Sequence, residues 1–177
     1  MSSLNSETNN ILITSAASAG QNYAMVKIFK EVLHNHGINA KVYTCDMEPD
    51  NAPACMLSDN YFAVPRITSE DYMQVLQSIC IGNHVKLVIP TAEKELPILS
   101  ANQDIFAKLG VFIFVSDYDF VMKCIDNHQF DGYLETLGID ISIPQHIGNY
   151  ETLVDTVFTR PDFVENIVII LSSRRFR

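Results

Sequence analysis

The chain has no tryptophan, few glycines and prolines (seven of each in 177 residues), and only twelve Lys and Arg against twenty-one Asp and Glu. So little Gly and Pro rules out collagen-like and linker-like composition. The shortage of basic residues leaves a formal charge of -9. That argues against a nucleic-acid partner, because such binders neutralise phosphates with clustered Lys and Arg. Arg174, Arg175 and Arg177 at the end are too short a patch to reverse this. Cys45, Cys55, Cys80 and Cys124 form no C-x-x-C pair, so they read as packed thiols of a reducing compartment and give no disulfide or zinc framework. No apolar run approaches the ~20 residues of a membrane span. The first ten residues lack the basic start and apolar segment of a secretory signal, and the expected location is the cytoplasm. Repeats, low-complexity segments, G-x-S-x-G, a Walker-type loop and H-E-x-x-H are all missing.

What is present is a 47% apolar, 19% charged composition, enough for an ordinary core. Short apolar runs alternate with helical stripes. Strands are expected at 10–15, 40–45, 60–64, 85–89 and 111–115. Between the first two, Met25, Ile28, Phe29, Val32 and Leu33 recur at helical spacing until Gly37. Thr68-x-x-Asp71 resembles a capping box before the stripe Tyr72, Val75, Leu76, Ile79, Cys80. A helix starting at Pro97 presents Ile98, Ala101, Ile105 and Leu109 on one face before Gly110. Ser116-x-x-Asp119 caps a short helix to about Cys124, and Asp126 begins another, with Phe130, Tyr133, Leu134 and Leu137, that stops at Gly138. Strands alternating with helices mean right-handed βαβ units. The expected fold is therefore α/β: three layers, Rossmann-like, with a mostly parallel five-stranded sheet.

In such a sheet the carboxyl edge carries the ligand. The first strand-to-helix turn, Ser15-Ala-Ala-Ser-Ala-Gly20, keeps only the last glycine of G-x-G-x-x-G, which counts against a dinucleotide. Two readings of it stand: free N–H groups that hold an anion, or a turn shaped for helix–sheet packing. Ser15, Ala19 and Gly20 are its candidate ligand residues. Asp46, at the end of the second strand, is either a ribose-binding carboxylate or a loop cap. Thr91, Glu93 and Glu95 follow the strand that ends at Pro90. The two carboxylates accept from an amine or a cation, or else complement the helix dipole. No catalytic constellation and no metal-ligand spacing is visible, the five histidines included.

The stretch Leu87-Val-Ile-Pro-Thr-Ala-Glu-Lys-Glu-Leu-Pro-Ile-Leu-Ser100 resembles the "IPT-x-(D/E)-x-ELPIL" segment in the first domain of carbamoyl-phosphate-synthase-large-subunit-like proteins of the ATP-grasp superfamily. Asn10-Ile-Leu-Ile-Thr-Ser15, Ser58-Asp-Asn-Tyr-Phe-Ala-Val-Pro65, Leu109-Gly-Val-x-x-x-Val-Ser116 and Leu134-x-x-x-Gly-Ile139 match the same family in order. The resemblance implies a pre-ATP-grasp domain over 10–144, of the kind that opens biotin carboxylases. Before it lies a disordered polar lead (1–9), and after it an extension (145–177) where the first ATP-grasp strand is expected.

ATP-grasp enzymes activate a carboxylate as an acyl phosphate and pass it to an amine, using nucleotide and magnesium ligands from the lobes after this domain. ATP and magnesium are thus implied for a full-length relative, and no cofactor for this chain alone. Glu165–Leu171 stands near the expected "VVKP"-like strand, but Ser172–Arg177 is not the family's lysine-bearing continuation. Where the family shows N-D-K, this chain has Ile125-Asp126-Asn127, and Asn127 cannot supply a lysine's charge to a phosphate. The implied protein is a domain detached from its catalytic lobes and inactive alone. Its expected partner is a second copy or a separate ATP-grasp subunit, held through Val154, Val157, Phe158, Phe163 and 167–171. A weakly bound small molecule at the open sheet edge is the remaining expectation, as a binding or non-catalytic interaction module.

Overall fold

The structure is a computed structural model, and its described residues are 9–17, 21–125 and 127–139. The chain divides into two compact units, 1–129 and 130–177. The expectations for residues 1–8, Ala19, Gly20, Asp126 and 140–177 lie outside the described residues.

The first unit runs β1 (Asn10–Ile13), α1 (Gln21–Asn35), β2 (Val42–Asp46), α2 (Pro53–Leu57), β3 (Asn60–Ala63), α3 (Tyr72–Gly82) and β4 (Val85–Ile89). It continues through α4 (Leu96–Ala101), α5 (Gln103–Lys108), β5 (Phe112–Ile113) and α6 (Tyr118–Ile125), and α7 (Asn127–Thr136) leads on into the second unit. The sheet order is β3-β2-β1-β4-β5, every pair parallel. All four residues of β1 are buried, the pattern of a strand covered on both faces. Alternation sorts its side chains between two cores. Leu12 packs with Tyr72, Leu76, Leu99 and Phe106 on one side. On the other, Ile11 and Ile13 pack with Val26, Ala54 and Cys55. These are the three layers. Asn10, the polar exception, donates to the Asn83 carbonyl (2.7 Å) and accepts from the Lys41 N–H (2.9 Å).

Strand positions follow the apolar runs, but several local expectations are corrected. The α1 stripe is rotated: Asn22 and Val26 are buried and Met25, Phe29 and Leu33 half-buried, while Ile28 and Val32 face solvent. The Thr68 capping box does not form, because Asp71 is already helical (φ -80°, ψ -13°) and makes no side-chain cap. The helix expected from Pro97 is two helices broken at Asn102, whose amide turns back to the Ile98 carbonyl (2.7 Å). Its buried residues are Leu99, Ser100 and Phe106; Ala101, Ile105 and Leu109 are exposed. The cap of α6 is Asp117, which accepts from the Phe120 N–H (2.9 Å), in place of Ser116. In the loop expected after β2, Pro53 opens α2. Gly37 and Gly110 do end α1 and α5, at φ 64° and 70°, where a Cβ is strained. In the second unit, Gly138 takes φ 71° and the Ile139 N–H bonds back to Leu134 (3.1 Å).

Candidate functional site

The chain leaves β1 for β2 and β3 on one side, and α3 returns it to β4 on the other. The carboxyl ends of β1 and β4 are therefore the topological switch point, where an open parallel sheet parts its crossovers and leaves a crevice. Ser15 leaves β1 at φ 49°, a left-handed conformation unusual for a residue with a Cβ. Its carbonyl accepts from Asn22 Nδ2 (3.0 Å), near the start of α1. Thr91 Oγ1, from the β4 side, lies 2.7 Å from the Thr14 carbonyl and accepts from Asn22 Nδ2 at 2.9 Å. Asp46 joins from β2, its two oxygens accepting from the N–H groups of Ala17 (2.8 Å) and Glu48 (3.0 Å). Ser15, Asp46 and Thr91 are thus brought together, each engaged in holding the turn. Asn22 is fully buried, and its Oδ1 has no hydrogen-bond partner among the described residues.

Glu93 and Glu95 share one 3-10 turn, yet they go to different places. Glu95 is 1% exposed. Its oxygens accept from Thr14 Oγ1 and from the Tyr72 hydroxyl, each at 2.6 Å, the short length of hydrogen bonds to a charged oxygen. The carboxylate thereby clamps α4, β1 and α3 together behind the crevice. Burial, then the charge of Glu95, pushes the Tyr72 hydroxyl far above its ordinary range. The same two causes, in the same order, raise the Cys45 thiol. Glu93 is exposed and stands at the edge of an apolar cavity formed with β5 and α6, apart from the Ser15 turn. The loop thus supplies one carboxylate to the core and one to the surface.

Sequence reasoning missed Asn22, Thr14 and Tyr72. The readable signals were a polar residue on the apolar face of a helix start, and a tyrosine in a buried stripe whose hydroxyl needs a partner. Among the described residues no group of three or more His, Cys, Asp and Glu is placed to hold a metal. None of their helices is long and apolar enough to cross a membrane.

A five-stranded parallel sheet of this order, with its crevice between β1 and β4, is the architecture of a pre-ATP-grasp domain. Residues 11–114, from β1 through β5, match the family model described as PylC-like, N-terminal domain, and the chain belongs to that family. No curated protein matches it. Solved structures of similar fold include the biotin carboxylase domain of a single-chain bacterial carboxylase, with TM-score 0.54 and 16% identity over 88% of this chain and 34% of that one. The biotin carboxylase subunit of pyruvate carboxylase has TM-score 0.54 and 11% identity, over 88% and 33%. A complete multifunctional pyruvate carboxylase from Rhizobium etli has TM-score 0.53 and 13% identity, over 76% and 13%. The chain spans about a third of the first two and less of the third. At these identities the likeness is one of fold.

Proposed function

We propose that this chain is the N-terminal layer of an ATP-dependent carboxylate–amine ligase and does its chemistry only with ATP-grasp lobes, in the same polypeptide or in a separate subunit. The observation that carries the reading is the family match over the sheet, residues 11–114, in a chain that spans about a third of its biotin carboxylase neighbours. The hydrogen bonds support it. Ser15, Asn22, Asp46 and Thr91 hold the sheet edge rigid, as suits a floor on which further lobes close. Asn127 is a departure from the family, a neutral amide in place of its phosphate-reaching lysine, and it bears on the expected lack of turnover by the chain alone. ATP and magnesium belong in this reading to the assembled ligase. The finer version is a carbamoyl-phosphate-synthase-like ligase, which the 87–100 stretch favours. Association through 150–171, with a second copy or with the lobe-bearing subunit, completes the reading.

The test is phosphate release from magnesium-ATP with a panel of carboxylates and amines, bicarbonate and ammonia included, by the chain alone and with an ATP-grasp protein that copurifies from the native source. Expected is no turnover alone and turnover in the complex, with bicarbonate and ammonia preferred if the finer version holds. Turnover by the chain alone that is lost on Thr91→Ala or Glu93→Gln overturns the proposal. Light scattering on the purified chain is expected to show a dimer or larger species, and a monomer at high concentration removes the self-association arm.

A further inference from the structure

Helices cover the sheet unevenly. At β5, Val111 and Ile113 are buried against α5, while Phe112 and Phe114, on the opposite face, are 62% and 65% exposed. Beside them α6 contributes Phe120, Val121 and Cys124, and the start of the β4–α4 turn contributes Glu93; together these residues line a cavity of about 420 Å³. That lies within the ~300–1,000 Å³ of small-molecule sites, which pair apolar walls with a few placed polar groups. Glu93 is the one charged residue among those lining the cavity, and its carboxylate has no hydrogen-bond or ion-pair partner among the described residues.

We propose that this cavity binds a small organic ammonium with an apolar, preferably aromatic, arm: the arm lies among Phe112, Phe114 and Phe120, and the ammonium pairs with Glu93. Three physical features select this class. A bare carboxylate at a low-dielectric wall attracts a cation more strongly than it does in open water. Aromatic walls favour both an aryl group and a nearby cation. An anionic ligand is repelled by Glu93. The site is built from the first unit alone, so it goes beyond the ligase reading and stands or falls independently of it.

The experiment uses the full chain and three matched probes: 3-phenylpropylammonium, 3-phenylpropanol and 3-phenylpropanoate. Binding is followed by amide chemical shifts and by the labelling rate of Cys124 with a fluorogenic maleimide. Cys45, Cys55 and Cys80 are buried, so Cys124 is the thiol that reports on the cavity. The ammonium is expected to bind with Kd near or below about 1 mM, ordinary for so few atoms. It should bind about five- to tenfold tighter than the alcohol, shift residues 112–125 and slow Cys124 labelling. The carboxylate should be the weakest. Glu93→Gln, at an exposed position that leaves the fold intact, is expected to equalise ammonium and alcohol. Phe114→Ala, also exposed, should weaken both several-fold. Glu70→Gln, an exposed acid outside the cavity lining, should change neither, which separates a site from the general pull of an acidic chain. Equal binding of ammonium and alcohol overturns the proposal, as does a Glu70→Gln loss matching that of Glu93→Gln. So does Cys124 protection that rises with protein concentration and ignores the probes, because a second copy would then cover the cavity.

Discussion

Glu95 gives the sharpest prediction. It is 1% exposed, no cation is bonded to it among the described residues, and two hydroxyls at 2.6 Å satisfy it. A hydrogen bond to a charged group contributes about 1.5–3 kcal/mol, and a buried charge deprived of a partner costs more than a neutral group. Tyr72→Phe keeps the ring and removes one donor, and is expected to destabilise by about 2–3 kcal/mol. Glu95→Ala removes the acceptor, strands both hydroxyls and opens a cavity, at about 3–5 kcal/mol. Glu95→Gln should cost only about 1–2 kcal/mol, because an amide of the same shape can bond both hydroxyls once they reorient. A cycle of Tyr72→Phe with Glu95→Gln should give a coupling of about 1 kcal/mol or more. The chain has no tryptophan, so the assay is urea unfolding followed by far-ultraviolet circular dichroism. The reasoning is refuted if Tyr72→Phe lies within about 0.5 kcal/mol of the parent, or if Glu95→Gln is as damaging as Glu95→Ala.

Alkaline stability should fall early. Burial pushes the Cys80 thiol from about 9.0 up to about 12 and also raises Cys45 and Tyr72. A folded value above the unfolded one gives stability that is whole below the unfolded value, about pH 9 for the thiols and about pH 10 for Tyr72, and is lost above it at about 1.4 kcal/mol per pH unit for each group. A urea midpoint that stays flat from pH 8 to 10.5 contradicts this. Asp59 has the opposite sign. Burial works against its charge, but bonds from Lys30 (2.8 Å) and the Val42 N–H (2.8 Å) win and hold its carboxyl low. Its contribution is present above pH 4 and lost as pH falls further, so Asp59→Asn should cost about 1 kcal/mol at pH 7 and less at pH 3. Equal costs at the two pH values would remove that assignment. At Ser15, with φ 49°, glycine should be tolerated within about 0.5 kcal/mol and valine should cost more than about 1 kcal/mol. Thermal melts that rank the two the other way would show that the turn relaxes.

What the sequence determined by itself was the order and direction of the sheet elements. Runs such as Asn10–Ile13 and Val85–Ile89, separated by helical stripes, leave parallel pairing with crossovers as the arrangement that buries them, and Gly37 and Gly110 stop helices through a local backbone requirement. The meeting of the Ser15 and Thr91 loops follows from that order, once β1 and β4 are neighbours. Which polar groups those loops leave for a ligand did not follow, because burial and pairing are properties of partners far away in the chain. Glu93 and Glu95 are equivalent in a one-dimensional reading. The phase of one 3-10 turn, with Thr14 81 residues and Tyr72 23 residues distant, sends Glu95 into the core and leaves Glu93 outside. On α1, Phe29 belongs to a face rotated away from Ile28 and Val32, and only the packing of α2 and β2 chooses between those faces. The run Val111–Val115 reads as a strand, but its composition cannot tell which of its faces has a helix over it. Tertiary structure covers Val111 and Ile113 and leaves Phe112 and Phe114 bare.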